Sequence, residues 1–169
     1  MEIVIRKGTM DDIEAFISLL SDVREAMEHK EWFYLDPPEV VRDMMETGIM
    51  ELWVALDGNR LAGALDILHP GLEEYNYGYD LGFDREQLMH VVNMDSAAVR
   101  PEYRGLGLQR RLLDMAEQKL RGRGETYLLC TIHPDNTFSL HNALKQGYTI
   151  RKTGPKYGSV RHFLSKKIF

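Results

Sequence analysis

Val91-Val-Asn-Met-Asp-Ser-Ala-Ala-Val99 leads through Arg100-Pro-Glu-Tyr103 into Arg104-Gly-Leu-Gly-Leu-Gln-Arg-Arg-Leu-Leu113, and the reading of the chain turns on this passage. An apolar run of strand character enters a loop with two glycines, and the loop opens a helix whose apolar stripe is Leu108, Leu112, Leu113, Ala116 and Leu120. Arginines stand on both sides of the glycines. A loop of this kind aims several backbone N–H groups at one point, at the positive end of a helix dipole, which is how a protein holds phosphate without a metal. Two common phosphate loops do not fit. A P-loop requires Lys-Ser/Thr after its last glycine, whereas Gly107 is followed by Leu108-Gln109; a dinucleotide fingerprint requires a third glycine where Arg110 stands.

Working outward, Ile3–Arg6 reads as a short strand and Thr9-Met-Asp-Asp12 as a capping box for a helix carrying Ile13, Phe16, Ile17, Leu20 and Val23. A second helix follows Asp36-Pro37 and stops at Gly48. Met50–Leu56 and Arg60–Leu68 form a hairpin about Asp57-Gly-Asn59. Pro70–Arg85 is a long connection rich in Tyr and Gly. Beyond the quoted passage come a strand at Thr126–Ile132, a helix from Asn136 to about Gln146 with Gly147 after it, and strands at Tyr148–Thr153 and Val160–Lys166. The order β-α-α-β-β-β-α-β-α-β-β is that of a single α/β domain, residues 1–169, with a mixed central sheet and helices on both faces. Hairpins make its first part antiparallel, and the unit Val91–Ile132 needs a parallel crossover.

Composition narrows the partners. Net charge is −5, but residues 1–99 carry 7 Lys and Arg against 21 Asp and Glu, while residues 100–169 carry 14 against 5. That asymmetry suits either an uneven solvated surface or a polyanion held by the second half beside a cationic substrate on the first. The basic residues form no stripe and the chain is acidic, which argues against nucleic acid. No apolar run is long enough for a membrane span, and Met1-Glu-Ile-Val-Ile-Arg6 is no secretory signal, so a cytoplasmic protein without a membrane partner is expected. Cys130, the one cysteine, excludes an internal disulfide and reads as a small core residue. The histidines lack ligand spacing, so no metal is implied.

Val99-Arg-Pro-Glu-Tyr-Arg-Gly105 together with Arg104, Gly107 and Gln109 resembles the acetyl-CoA loop of the GNAT superfamily of N-acetyltransferases, written Arg/Gln-x-x-Gly-x-Gly/Ala. Gln109 departs from it, since Gly or Ala is usual there. The similarity continues at His133-Pro-Asp-Asn-Thr137 and at Gly147-Tyr148, and residues 93–148 carry most of it. The resemblance implies a GNAT-like fold with a splayed parallel strand pair and acetyl-CoA as co-substrate. Pantetheine would pair with the backbone of Ala97, Ala98 and Val99. Amides of Arg104, Gly105, Leu106, Gly107, Leu108, Gln109 and Arg110 would hold the pyrophosphate. Asn136 would touch the cofactor's amide portion, or serve only as a helix N-cap.

Acyl transfer to an amine needs a base, a donor for the departing thiolate and stabilisation of an oxyanion. The position where this family often has a Glu base is Asn93, which cannot act as one. Asp95, two residues on and on the same side of the strand, is the base candidate, against the reading of an ordinary hydrogen-bonded Asp. The position of the family's usual Tyr donor is Ala143, which leaves Tyr157 or the Tyr75/Tyr77/Tyr79 loop as alternative hydroxyls. His133 and His141 are bases by residue type only. Acceptor-site walls are expected from Met27–Asp36 with Trp32, Phe33 and Tyr34, from residues 72–83 and from Lys156-Tyr-Gly-Ser159. The reading is acetyl transfer from acetyl-CoA to a primary amine of a small molecule or peptide by direct attack in a ternary complex. A coenzyme-A-binding module without turnover is the alternative, and another acyl donor such as succinyl-CoA would change only the pocket. The final strand, read as exposed, suggests a homodimer.

Overall fold

The computed structural model describes the whole chain, Met1–Phe169. Seven strands form one mixed sheet in the order β1-β2-β3-β4-β5-β7-β6. They are β1 (Ile3–Lys7), β2 (Met50–Asp57), β3 (Arg60–Leu68), β4 (Val91–Val99), β5 (Thr126–Ile132), β6 (Thr149–Lys156) and β7 (Ser159–Ile168). The helices are α1 (Ile13–Glu25), α2 (Pro38–Thr47), α3 (Arg85–Leu88), α4 (Leu108–Leu120) and α5 (Thr137–Lys145). The order expected from sequence is the order found. The additions are short: α3 is a single turn closed by a capping box between Asp84 and Gln87, and 3-10 turns precede α1, α2 and α4.

The chain divides into two compact units, Met1–Leu68 with Ser96–Lys119, and His69–Asp95 with Leu120–Phe169. In the first, the Thr9–Asp12 capping box is formed, and Arg6 pairs with Asp12 at 2.8 Å, holding that carboxyl below its usual range. α1 packs on β3 and α2 on β2. Their buried stripes, Ile13, Phe16, Leu19, Leu20 and Val23 on α1 and Val41 and Met44 on α2, are what the helical spacing requires. β3 is buried from Leu61 to Leu68 without alternation, as a strand covered on both faces must be. Gly63 is needed there, since a Cβ would stand 3.0 Å from the Ala98 carbonyl oxygen. Asp66, also buried, accepts from the Ser96 amide at 2.9 Å and ties β3 to β4.

In the second unit, Tyr77, Val91, Leu129 and Phe163 form a buried cluster, with Leu81, Phe83, Tyr127 and Tyr157 packed against it. β4 and β5 run parallel with Val91 opposite Tyr127 and Asn93 opposite Leu129. The ladder ends there, although β4 continues to Val99 and β5 to Ile132. β7 pairs with β5 on one side and β6 on the other, so the final strand is not an exposed edge, contrary to the sequence expectation. The edge strands are β1 and β6, and Thr149–Thr153 of β6 is exposed throughout.

Candidate active site

Two groups of candidate residues stand out, one in each unit. In the first unit, Arg104 closes a 3-10 turn by donating to the Pro101 carbonyl, and Arg111 begins the helical ladder by donating to Gly107. Between them, the amides of Gly105, Leu106, Gly107, Leu108, Gln109 and Arg110 donate to no backbone carbonyl. Gly105 and Gly107 have φ of +85° and +69°, and a Cβ on either would meet nothing within 4 Å. These left-handed residues stand at the start of a 13-residue helix, where backbone amides have no intrahelical partner. Leu106, Arg104 and Arg110 are exposed, while Leu108 is buried and anchors the loop. Arg100 is spent on structure. It reaches the Leu61 carbonyl at 2.9 Å and Asp22 at 2.8 Å. Ala97 and Val99 remain partly exposed beside buried Ala98.

In the second unit, the long connection before β4 is pinned rather than loose. Asn76, fully buried, donates to the carbonyls of Gly71 at 2.8 Å and Leu88 at 3.0 Å and accepts from the Gly78 amide at 2.7 Å. A side chain at position 78 would force its neighbours to shift, because a Cβ would lie 2.8 Å from Leu88 and 2.9 Å from the Asn76 side-chain oxygen. Asn93 makes the second pin. Its Nδ2 donates to the Tyr75 carbonyl at 3.0 Å and its Oδ1 accepts from the Tyr77 amide at 3.3 Å. The residue that replaces a carboxylate is thus an amide because it needs both a donor and an acceptor.

Seated this way, Tyr77 points its hydroxyl at Asp95, 3.3 Å from Oδ1, and at the Tyr157 hydroxyl, 2.6 Å away. Burial, first, and then the neighbouring Asp95 hold the Tyr77 phenol well above its ordinary pKa, so it is a neutral O–H; the Thr131 hydroxyl acts weakly in the other direction. Lys156 lies 5.6 Å over the Tyr77 ring and pairs with Asp80 at 3.1 Å, and buried Arg161 lies 5.9 Å over Tyr157. Tyr157 and Gly158 form a two-residue β6–β7 turn with φ of +55° and +74°, flanked by the pair Lys156–Ser159. Such turns favour Asn or Gly at the first position. A tyrosine in that conformation costs about 1–2 kcal/mol.

Other sequence candidates resolve differently. Asn136 caps α5, its Oδ1 accepting from the Ser139 amide at 3.4 Å, which leaves its NH2 facing no protein acceptor. His133 is buried and its Nδ1 accepts from the Asp135 amide at 3.1 Å, so this nitrogen shapes the turn before α5. Burial pushes the Cys130 thiol up to about 12, which removes it as a nucleophile near neutral pH. In the stretch before α2, Trp32 stacks on His29 with ring centroids 4.5 Å apart, and Tyr34 is exposed. Asn76 and Asp66 escaped the sequence reading, and Tyr77 entered it only with Tyr75 and Tyr79 as an alternative hydroxyl. An Asn between tyrosines and glycines is the one signal the sequence carries for the pinned loop.

The sheet order, the parallel pair and the glycine loop that opens α4 together define the architecture of acetyltransferases. The chain belongs to the GNAT acetyltransferase family, whose sequence profile matches residues 14–148. No curated protein matches the sequence. Solved structures share the fold. A GNAT-family acetyltransferase from Streptococcus pneumoniae superposes with a TM-score of 0.75 at 17% identity, over 99% of this chain and 100% of that one. yncA of Salmonella typhimurium, solved with its cofactor acetyl-CoA, gives 0.74 at 16%, over 100% and 95%. Arabidopsis thaliana NAA60, in complex with a bisubstrate analogue, gives 0.73 at 14%, over 99% and 98%. No helix is long and apolar enough to cross a membrane.

Proposed function

We propose that residues 1–169 work as one N-acetyltransferase domain that moves an acetyl group from acetyl-CoA to the primary amine of a small molecule or peptide in the cytoplasm. The observation that carries this reading is the run of unengaged amides from Gly105 to Arg110, which fits a diphosphate. The fold neighbour with acetyl-CoA and the one with a bisubstrate analogue support it. In this reading the Arg104–Arg110 amides hold the pyrophosphate, the Ala97, Ala98 and Val99 backbone pairs with pantetheine, and Asn136 offers its free NH2 to the cofactor's amide portion.

Asp95 takes the proton from the attacking amine and Tyr157 supplies one to the departing sulfur. Direct attack in a ternary complex follows from the lack of an activated nucleophile, Cys130 being held protonated by burial. The absence of a hydroxyl at Ala143 favours a second reading, a coenzyme-A-binding module without turnover. Thiol release from acetyl-CoA over a panel of polyamines, amino acids and peptide N-termini decides between them. Turnover with any amine supports the enzyme. Coenzyme A binding by calorimetry with no turnover supports the module, and absence of binding overturns both.

A further inference from the structure

We infer that Tyr77 is a proton relay joining Asp95 to Tyr157, so that the arrival of the amine proton on Asp95 is coupled to delivery of the Tyr157 proton to the leaving thiol. The inference rests on the acetyltransferase reading above and adds to it a residue outside the family's usual machinery.

The geometry supplies one continuous chain of hydrogen bonds in the second unit. With Asp95 ionised, Tyr157 donates to Tyr77 over 2.6 Å and Tyr77 donates to Asp95 over 3.3 Å. Each phenol has one proton and can accept while it donates. When Asp95 receives the amine proton the chain reverses. Asp95 donates to the Tyr77 oxygen, Tyr77 passes its own proton to Tyr157, and Tyr157 passes its own to sulfur. The C–S bond breaks and its electron pair leaves with sulfur, the C–N bond forms, and no proton is exchanged with solvent. Balance needs no other reactant.

Three features fit this relay together. Tyr77 is buried, yet its hydroxyl faces a carboxylate and a second phenol. Two asparagines pin the loop that delivers it. Tyr157 accepts a left-handed backbone that a glycine or asparagine would adopt more easily, and its hydroxyl there meets Tyr77. Lys156 with its partner Asp80, and Arg161, also face the pair; burial and then Asp95 and Tyr157 keep the Tyr77 phenol protonated, with Thr131 acting in the opposite direction.

The test is Tyr77→Phe in the full chain, which keeps the ring edge-on to Phe163 and removes only the hydroxyl. It is assayed with acetyl-CoA and the amine that the wild-type chain turns over fastest. The expected result is a kcat lower by about tenfold to a hundredfold with KM for acetyl-CoA unchanged. In mixtures of H2O and D2O the wild-type rate curves with deuterium fraction, as more than one proton in flight requires, and the variant's rate becomes linear. Tyr157→Phe and the double variant close the cycle. A shared relay makes the double no slower than the slower single, whereas independent roles multiply. A Tyr77→Phe variant within twofold of wild type overturns the relay and leaves the acetyltransferase standing. A wild-type chain with no turnover on any amine overturns the acetyltransferase and the relay with it. Should Tyr77→Phe fail to fold, a wild-type rate linear in deuterium fraction overturns the relay on its own, and a curved one with Tyr157→Phe slowed tenfold supports it.

Discussion

The loop Arg104–Arg110 and the cluster Tyr77–Asp95–Tyr157 are built on opposite principles. The loop is made of backbone: two left-handed glycines and a helix start present amides whose positions depend little on the rest of the molecule. The cluster is made of side chains from three segments, 18 residues apart between Tyr77 and Asp95 and 80 apart between Tyr77 and Tyr157. A backbone site is written locally and tolerates change around it. A side-chain site is written across the chain and depends on every residue that seats its members.

The largest expected effect belongs to the cluster. Asp95→Asn keeps size and hydrogen-bonding capacity but cannot take a proton, so kcat falls about a thousandfold while coenzyme A affinity stays within twofold. Steady-state kinetics beside calorimetry measure this. Equal losses in both would mean that Asp95 supports the fold rather than the proton transfer, and the contrast between the two regions would blur.

Gly107→Glu is the corresponding assault on the loop. A Cβ meets nothing within 4 Å, so the chain folds with a left-handed strain of about 1–2 kcal/mol, while a carboxylate enters the space claimed for the diphosphate. Coenzyme A affinity should weaken about a hundredfold, about 2.7 kcal/mol. A melting temperature that still rises on adding coenzyme A as it does for wild type would remove the loop from the site.

These two regions also differ in what the sequence disclosed. The strand Val91–Val99, the glycines and the helix from Leu108 were legible because strand period, left-handed turn and amphipathic stripe are short-range properties. Asn136 as the cap of α5 and Gly48 as the end of α2 were legible for the same reason. Tyr77 could be named only as one of three, because its neighbours Tyr75 and Tyr79 are the same residue type in the same loop. Only the pins made by Asn76 and Asn93 separate it from them. Tyr79 is exposed and bonds the Leu72 carbonyl, whereas Tyr77 is turned inward. In the sequence Asn93 reads as a missing carboxylate, and its positive role depends on a loop 16 to 18 residues away lying against it. The exposed edge was misassigned to the last strand because pairing order, unlike strand content, is a property of the whole sheet.

Asn93→Leu sharpens the point. It keeps the branched outline, though larger, and leaves the Tyr75 carbonyl and Tyr77 amide without their partner in a buried place, a loss of about 1–3 kcal/mol visible in thermal or urea unfolding. Because those bonds seat Tyr77, turnover should fall about tenfold more than coenzyme A affinity does. Affinity falling in step with turnover would show that the two regions share one support.

The smallest effect tests whether a third place has the cluster's character. Asp36, in the stretch between α1 and α2, is half-buried, and desolvation alone raises its pKa with no donor to offset it. A carboxylic acid raised in the folded state weakens folding at pH values above its folded pKa, where it must be charged. That penalty disappears below the ordinary carboxylate range, where both states are protonated. Asp36→Asn should therefore raise the melting temperature slightly at pH 7 and not at about pH 3. A charge kept at the expense of stability, beside exposed Tyr34, suits a cationic acceptor, so the same variant should raise KM for the amine severalfold and leave KM for acetyl-CoA alone. A stabilised variant with an unchanged amine KM would make Asp36 an ordinary half-buried acid and leave Tyr77–Asp95–Tyr157 as the one side-chain site.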